Sequence, residues 1–449
     1  MLKHFMPETV TAFSDKPTGV PSLSENTFLR YLNFIALYLA QGIPEGMLLF
    51  GIPAWMAASG KTAGEIGSFA AVAGLPWSFK IIVAPMMDRF TYLPMGRKRP
   101  WVLFGQLGLM VSFVAMAFVP DPLNNLNLFM ISGFFVSFFG SFQDVATDGM
   151  AVDIVPANEQ ARANGFMWGS KIVGTSASLA LGSWLLNEYG FSASVISLSV
   201  CVGLIMLAPL LLRERAGEKL LPWTAGAASP ETEKMKLETW AMIFKSLFKV
   251  FSLRNSLLVA LVAFASQVGF NFIATLLPVF TVTSLDWTNQ EYSNFFATAS
   301  LIGGLGGMLI GGIFIDKFNK RKVMTWYCIL FIALAISFVL LQQYWVEKWF
   351  VMTFMVLYKL LYVFSCIGIF AIAMQCCWKK ISASQFTLFM TIGNLGRVLG
   401  AKLVGPLREN LSWEYCFLFF AVMMLAAIVV YQLINLKQQK KELLRLEEI

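Results

Sequence analysis

The sequence predicts an all-α membrane protein, with twelve transmembrane helices in two pseudo-symmetric six-helix bundles. Three observations carry that expectation. The chain has 449 residues, of which 57% are hydrophobic and 13% charged, where a soluble domain carries about 25% charged residues. Apolar runs of roughly 20 residues, each able to cross about 30 Å of hydrocarbon, recur along the whole length. Finally, the loop Asp88-Arg89-Phe90-Thr91-Tyr92-Leu93-Pro94-Met95-Gly96-Arg97-Lys98-Arg99 has a counterpart 228 residues later, Asp316-Lys317-Phe318-Asn319-Lys320-Arg321-Lys322. An acid closing one span and a basic cluster opening the next, once in each half, suggests two matching bundles of the kind transporters use.

In chain order, residues 1–26 form a polar tail with Glu8, Asp15 and three prolines. It lacks the apolar core of a signal peptide, so the first span must act as its own insertion signal. Spans are expected near 28–51, 64–87, 100–119, 126–154, 162–186 and 191–212, making a first bundle over 27–212. The hydrophilic stretch 213–252 reads as a linker. Its last part places Leu237, Trp240, Phe244, Leu247, Phe248 and Phe251 on one helical face with Lys245 and Lys249 off it, the pattern of a helix lying in the membrane interface. Spans near 255–280, 292–315, 323–342, 349–373, 386–407 and 412–435 make a second bundle over 253–436. Residues 437–449 form a tail.

The net charge is +8. The basic residues gather in the tails and in one set of alternate loops, while the opposite loops hold only Lys61, Lys348 and Arg408. That bias places both termini in the cytoplasm. The charge therefore reports topology rather than a nucleic-acid partner. None of the six cysteines makes a CxxC pair, and they read as small apolar filler. His4 is the only histidine, which leaves little for zinc or histidine-based catalysis. No metal and no cofactor is expected.

The halves match beyond the loops. Lys171-Ile-Val-Gly174 corresponds to Arg397-Val-Leu-Gly400 and Gln41 to Gln267, each 226 residues apart. The run Gly303-Gly304-Leu305-Gly306-Gly307 permits close helix packing.

A charge at the centre of a span costs roughly 2.5–3.5 kcal/mol on insertion scales, so such residues are usually functional or paired. Well inside the spans lie Glu45, Lys80, Asp144, Asp148, Lys171, Lys359, Arg397 and Lys402, five basic against three acidic. A cavity so lined favours an anionic solute. Asp144 and Asp148 share a face of span 4, at a depth that also fits Lys171 on span 5. The three could form one proton-exchanging cluster, or a static ion pair between those helices. Glu45 follows Pro44, which removes a backbone donor and frees carbonyls to line a cavity; it is a candidate proton carrier. Lys80, after Leu75-Pro76-Trp77, is a candidate cavity contact. Gln41, Gln143, Gln267 and Asn271 are candidate neutral contacts. Arg397 suits carboxylate or phosphate through its planar fork, whereas Lys359 and Lys402 are expected to snorkel toward an interface. Asp88, Arg97, Arg99, Asp316 and Arg321 are expected to gate. Each aspartate would meet a basic cluster and the N-terminus of a helix in the other half.

With these residues in hand, the chain resembles the AmpG-type branch of the major facilitator superfamily, which includes muropeptide permeases, acetyl-coenzyme A transporters and some siderophore permeases. The resemblance rests on QGIPEG (41–46), LPWSFKIIVAPMMDR (75–89), GRKRPW (96–101) and FQDVATDGMAVDIVPANEQARANGF (142–166). It covers 28–212 best. Departures include Lys171 where arginine is common, and no room for the two additional helices of some muropeptide permeases.

The resemblance implies the major facilitator fold and a bacterial inner-membrane importer driven by the proton gradient, with no enzyme activity. The expected partners are an anionic small-molecule solute, protons and the lipid bilayer, and the expected state is a monomer. A muropeptide-type cell-wall fragment is the favoured cargo, with a siderophore or an acyl-coenzyme A as the alternative. A membrane-embedded transferase using Asp144 and Asp148 as acid and base is the distant reading. It leaves the repeat symmetry unexplained.

Overall fold

The computed structural model describes residues 22–61, 63–236, 239–287 and 289–447. His4 and Leu237 lie outside them. Among the described residues there are twelve long helices: α1 Thr27–Met56, α2 Ser68–Arg89, α3 Arg99–Ala117, α4 Leu126–Ile154, α5 Gln160–Tyr189, α6 Phe191–Leu211, α7 Arg254–Ser284, α8 Asn294–Lys317, α9 Lys320–Leu340, α10 Lys348–Cys376, α11 Ser382–Asn410 and α12 Trp413–Leu433. Ten are apolar enough to cross a membrane by composition. The other two, α5 and α11, are long enough at 30 and 29 residues but more polar. Both are inner helices. Many of their polar residues, including Asn164, Ser170, Ser178 and Gln385, are buried against protein, and Arg397 lines the cavity, which is where a membrane helix can carry them.

Packing repeats between the halves. Helix α1 lies on α5 as α7 lies on α11, and α3 lies on α6 as α9 lies on α12. Across the molecular midline α11 touches α2 and α4, and α5 touches α8 and α10. Two glycines set the tightest crossings. A methyl group at Gly174 would overlap the Leu39 carbonyl oxygen, and one at Gly400 would overlap that of Val268. Sequence pairs these two residues by repeat, and backbone-to-backbone approach explains why small residues stand there.

Three helices are irregular where the interior needs it. Helix α1 runs through Pro44 and then widens into a π-helical turn at Met47–Gly51. Helix α8 has a matching turn at Gly307–Gly311. In α2, Leu75-Pro76 breaks the helix into a 3-10 turn, Leu75–Ser78, before it resumes at Lys80. Such turns are tolerated at membrane depth only where protein or a cavity covers the backbone.

One face of the molecule, called here the basic face, carries the Asp88 and Asp316 loops and the linker. The linker is ordered against the first bundle. Leu23 and Ser24 donate backbone hydrogen bonds to the carbonyls of Arg213 (2.8 Å) and Glu214 (3.1 Å). The Glu214 carboxylate accepts the Lys98 and Arg99 amides, at 2.9 and 3.0 Å, capping α3. The linker helix, Trp240–Phe251, has two apolar sides. Ile243 and Val250 are buried with Trp378, Ile381 and Leu446, whereas Trp240, Phe244 and Phe248 are exposed. The one-faced reading from sequence therefore missed a docking side. Leu446 belongs to a C-terminal helix, Leu436–Glu447, where the sequence reading expected only a tail.

Glu218 is buried beside Glu214, accepting from the Arg215 amide (2.9 Å) and the Thr232 hydroxyl (3.1 Å). Burial, and then the charge of Glu214, push its carboxyl up to about 8. A carboxyl raised in this way holds its proton more tightly when folded. Its stabilising effect is complete below the unfolded value of 4.5 and is lost as pH rises through about 8. The thermal midpoint of the native protein should therefore fall between about pH 5 and pH 8.5, and Glu218→Gln should flatten that slope. Intrinsic fluorescence on heating checks this; equal slopes in the two proteins would count against it.

Candidate functional site

A cavity of about 470 Å³ lies between the halves. From the first half it is lined by Glu45, Trp77, Lys80, Asp144, Trp168 and Lys171, and from the second by Gln267, Tyr362, Phe370, Asn394 and Arg397, among others. The break in α2 turns Trp77 and Lys80 inward. Lys80 forms an ion pair with Asp144, and its ammonium also sits 4.3 Å from the Trp77 ring centroid.

The sequence reading set Asp144, Asp148 and Lys171 in one cluster, and the structure pairs them differently. Lys171 Nζ meets Glu45 Oε2 at 2.9 Å. The close α1–α5 crossing at Gly42 and Gly174 causes this, because it carries Glu45 onto the Lys171 side of α5. Asp148 accepts a hydrogen bond from the Tyr38 hydroxyl and is buried behind the cavity wall. No cation forms an ion pair with Asp148 among the described residues.

The neutral candidates divide. Gln267 lines the cavity and accepts from Asn271 at 3.1 Å, so Asn271 supports the wall without being part of it. Gln143 turns inward to the Leu37 carbonyl (3.1 Å). The Gln41 amide is buried, with no hydrogen-bond partner among the described residues. Gln41 and Gln143 are not among the residues that line the cavity.

Few of the five basic residues expected in the cavity are left free there. Lys80 and Lys171 are neutralised by acids, and Lys402 is exposed. Lys359 does not snorkel. Its ammonium lies 3.7 Å from the Phe296 ring centroid and 5.5 Å from that of Tyr362, a cavity-lining residue, though Lys359 itself is not among the residues that line the cavity. Arg397 lines the cavity, is exposed within it, and has no ion pair or hydrogen bond among the described residues. The wall of the first half is thus close to charge-balanced, and that of the second is net positive.

Toward the basic face the cavity is closed. The indole of Trp168 stacks on Phe370 across the midline, with centroids 5.5 Å apart and planes 6° apart. Beyond it two aspartates bridge the halves. Asp88, at the end of α2, accepts from the Ser384 amide (2.8 Å) and hydroxyl (2.7 Å) in the first turn of α11. Asp316, near the end of α8, accepts from the Ala161 and Arg162 amides (3.1 and 2.7 Å) in the first turn of α5. Both carboxylates therefore sit on the positive end of a helix from the opposite half.

The basic residues of these loops have separate duties. Arg97 donates to the Lys379 and Lys380 carbonyls of the other half and pairs with Asp88 (3.2 Å) and Asp153 (3.3 Å). Arg99 instead grips the carbonyls of Pro209, Leu210, Lys219 and Leu220 at 2.7–3.1 Å. Arg321 reaches only Gln432 and Ile434 in its own half. Neither Arg99 nor Arg321 bridges the halves, which corrects their expected place. Sequence reasoning missed Lys98, fully buried on Asp88, and Lys320, which joins Asp316 (2.9 Å) to the Ala157 carbonyl (3.3 Å). Both stand in the quoted basic clusters. Tyr38 and Ser384 carried no sequence signal.

Twelve helices in two related bundles, with a charged cavity between them closed at one face, define a membrane transporter. The chain belongs to the Major Facilitator Superfamily, whose family model matches residues 34–401. It is similar to the anhydromuropeptide permease of Escherichia coli K12, 24% identical over 386 residues, covering 86% of this chain and 75% of that protein. It is also similar to the putative transporter AmpG 3 of Rickettsia prowazekii, 22% identical over 430 residues, covering 91% and 97%. Among solved structures, FucP in the outward conformation superposes with a TM-score of 0.66 at 12% identity, covering 90% of this chain and 98% of that one. A bacterial homologue of the iron transporter ferroportin, in an outward-facing state, gives 0.65 at 12% identity over the same shares. The protein is thus a multi-pass transporter related to the AmpG permeases, and not an enzyme.

Removing one partner of a buried ion pair leaves the other charge uncompensated, at a cost of about 3–5 kcal/mol in soluble proteins. The Lys80 and Asp144 side chains keep 12% and 7% exposure to a wet cavity, so the lower end applies. Lys80→Met should lower the thermal midpoint in detergent, and Lys80→Met with Asp144→Leu should recover most of the loss. A double variant that melts no higher than the single one would contradict the pairing.

Proposed function

We propose that the protein is a proton-coupled importer of an anionic solute, a muropeptide-type cell-wall fragment, working by alternating access. The observation that carries the anionic cargo is Arg397, a cavity cation without a partner. Its guanidinium fork suits a carboxylate, and Lys359, beside the lining residue Tyr362, adds positive charge behind the wall. The kinship with the anhydromuropeptide permease of Escherichia coli supports the cargo class. A siderophore or an acyl-coenzyme A would satisfy the same cavity charge.

Proton coupling rests on the acids of the first half. In this reading Asp144 gives up Lys80 when it takes a proton, and Glu45 does the same for Lys171. Each freed ammonium then joins Arg397 on the solute. Asp148, which accepts from the Tyr38 hydroxyl and has no cation partner among the described residues, serves as a second proton site one helical turn nearer the basic face. Gln267 orients the solute, with Asn271 fixing its amide. Asp88, Arg97 and Asp316 serve as the gate that opens once the cavity is loaded. The latched basic face corresponds to the outward-open part of the cycle.

The reading includes a bacterial inner membrane and a monomer with both termini in the cytoplasm. Residues 1–26 are the N-terminal tail, 213–252 links the bundles 27–212 and 253–436, and the helix Leu436–Glu447 follows the second bundle.

Uptake into proteoliposomes tests this. With an acidic exterior, anhydromuropeptide should accumulate, and a protonophore should abolish accumulation. Asp144→Asn should abolish proton-driven uptake in a protein that still folds, and Arg397→Gln should raise KM about tenfold or more, the worth of one charge-assisted contact. Native uptake by Asp144→Asn would refute the proton assignment. Accumulation of ferric chelates or acetyl-coenzyme A in place of the muropeptide would reassign the cargo.

A further inference from the structure

A second concave site lies on the outer surface of the first half, away from the cavity. It is a groove of about 630 Å³ walled by α2, α3 and α4, with Met86, Phe90, Trp101, Phe104, Phe138 and Phe142 in its lining. Phe138 and Phe142 are on the opposite side of α4 from Asp144. The rings interlock. Phe104 lies 5.9 Å from both Trp101 and Phe142, and Phe138 lies 4.7 Å from Phe142. From Phe90 at the loop end the groove runs inward to Phe138, sixteen residues before Ile154, or roughly 24 Å along α4. That comfortably covers the roughly 15 Å of one hydrocarbon leaflet.

Its mouth is at the basic face and carries a cation. The Arg89 guanidinium lies 5.1 Å from the Phe90 ring and 5.0 Å from the ring of Trp240 on the linker helix. Arg89 has no acidic partner among the described residues. Beyond Trp240 the same helix exposes Phe244 and Phe248 and carries Lys245 and Lys249. The Trp101 indole is already spent on the Phe90 carbonyl (2.6 Å), which leaves the Arg89 cation and the exposed Tyr92 at the mouth.

We propose that this groove binds an anionic phospholipid of the leaflet at the basic face. One acyl chain fills the aromatic groove, the phosphate sits on Arg89, and Lys245 and Lys249 extend the positive rim. Charge complementarity selects the occupant. A zwitterionic lipid offers the same phosphate but brings its own cation to the basic rim, whereas anionic headgroups gather on such clusters. A transmembrane helix from a second copy fits less well. Helix pairing in lipid favours small residues that let backbones approach, and this groove is walled by large rings. The proposal does not depend on the cargo or on proton coupling.

Native mass spectrometry of the full chain in detergent tests it, with dioleoyl phosphatidylglycerol and dioleoyl phosphatidylcholine as probes. The first phosphatidylglycerol adduct should bind about fivefold or more tightly than the first phosphatidylcholine adduct, the effect of at least one basic side chain at a membrane surface. Arg89→Gln should bring that ratio near one. Phe138→Trp, which fills the groove, should weaken the first adduct of both lipids. Should Arg89→Gln fail to fold, Lys245→Gln with Lys249→Gln should lower the ratio without touching the neighbourhood of Asp88. Equal binding of the two lipids by the native protein would overturn the proposal. So would an undiminished preference in the charge variants, or a protein dimer that Phe138→Trp abolishes.

Discussion

At a depth where a bare charge costs several kcal/mol, Lys80 rests on Asp144, Lys171 on Glu45, and Lys359 over the ring of Phe296. The need to match every charge that enters hydrocarbon arranges much else. It requires two bundles rather than one, because the charged faces of α2, α4, α5 and α11 must turn toward each other and toward water. It makes α5 and α11 the most polar of the long helices. It also leaves Arg397 conspicuous, since a cation that keeps no protein partner within the membrane must be matched by water or by a solute.

The same rule operates at the basic face through helix ends instead of side chains. The first-turn amides of α5 and α11 have no intrahelical acceptors, and Asp316 and Asp88 supply them from the opposite half. The two contacts are related by the internal repeat, so one arrangement closes both sides of the midline. Each is a small number of directional bonds between otherwise separate bodies. In the proposed alternating-access cycle such a junction would hold firmly and break as a unit.

Much of this was legible in the sequence for a physical reason. Span count and the repeated Asp loops follow from hydropathy and charge, which are local. The Asp-to-helix-end contact was legible as well, because a loop acid after one helix has few other uses. Which lysine meets which acid was not legible. Lys171 faces Glu45 rather than Asp144 or Asp148 because Gly42 and Gly174 press α1 onto α5, and that register is tertiary. Arg97 and Arg99 stand two residues apart and point into different halves of the task, one across the midline and one into the linker, because α3 begins between them. Tyr38 is an ordinary aromatic in an apolar run until α4 brings Asp148 beside it.

In the proposed cycle the paired Asp88 and Asp316 contacts are the bonds that hold the basic face shut. Pulsed electron-paramagnetic-resonance distances across that face, between labels on the α2–α3 and α10–α11 loops of a cysteine-free protein, measure this directly. The native residues should give a dominant short distance, and Asp88→Asn with Asp316→Asn should shift a large share of molecules to a longer one. An unchanged distance distribution in the double variant would contradict the account.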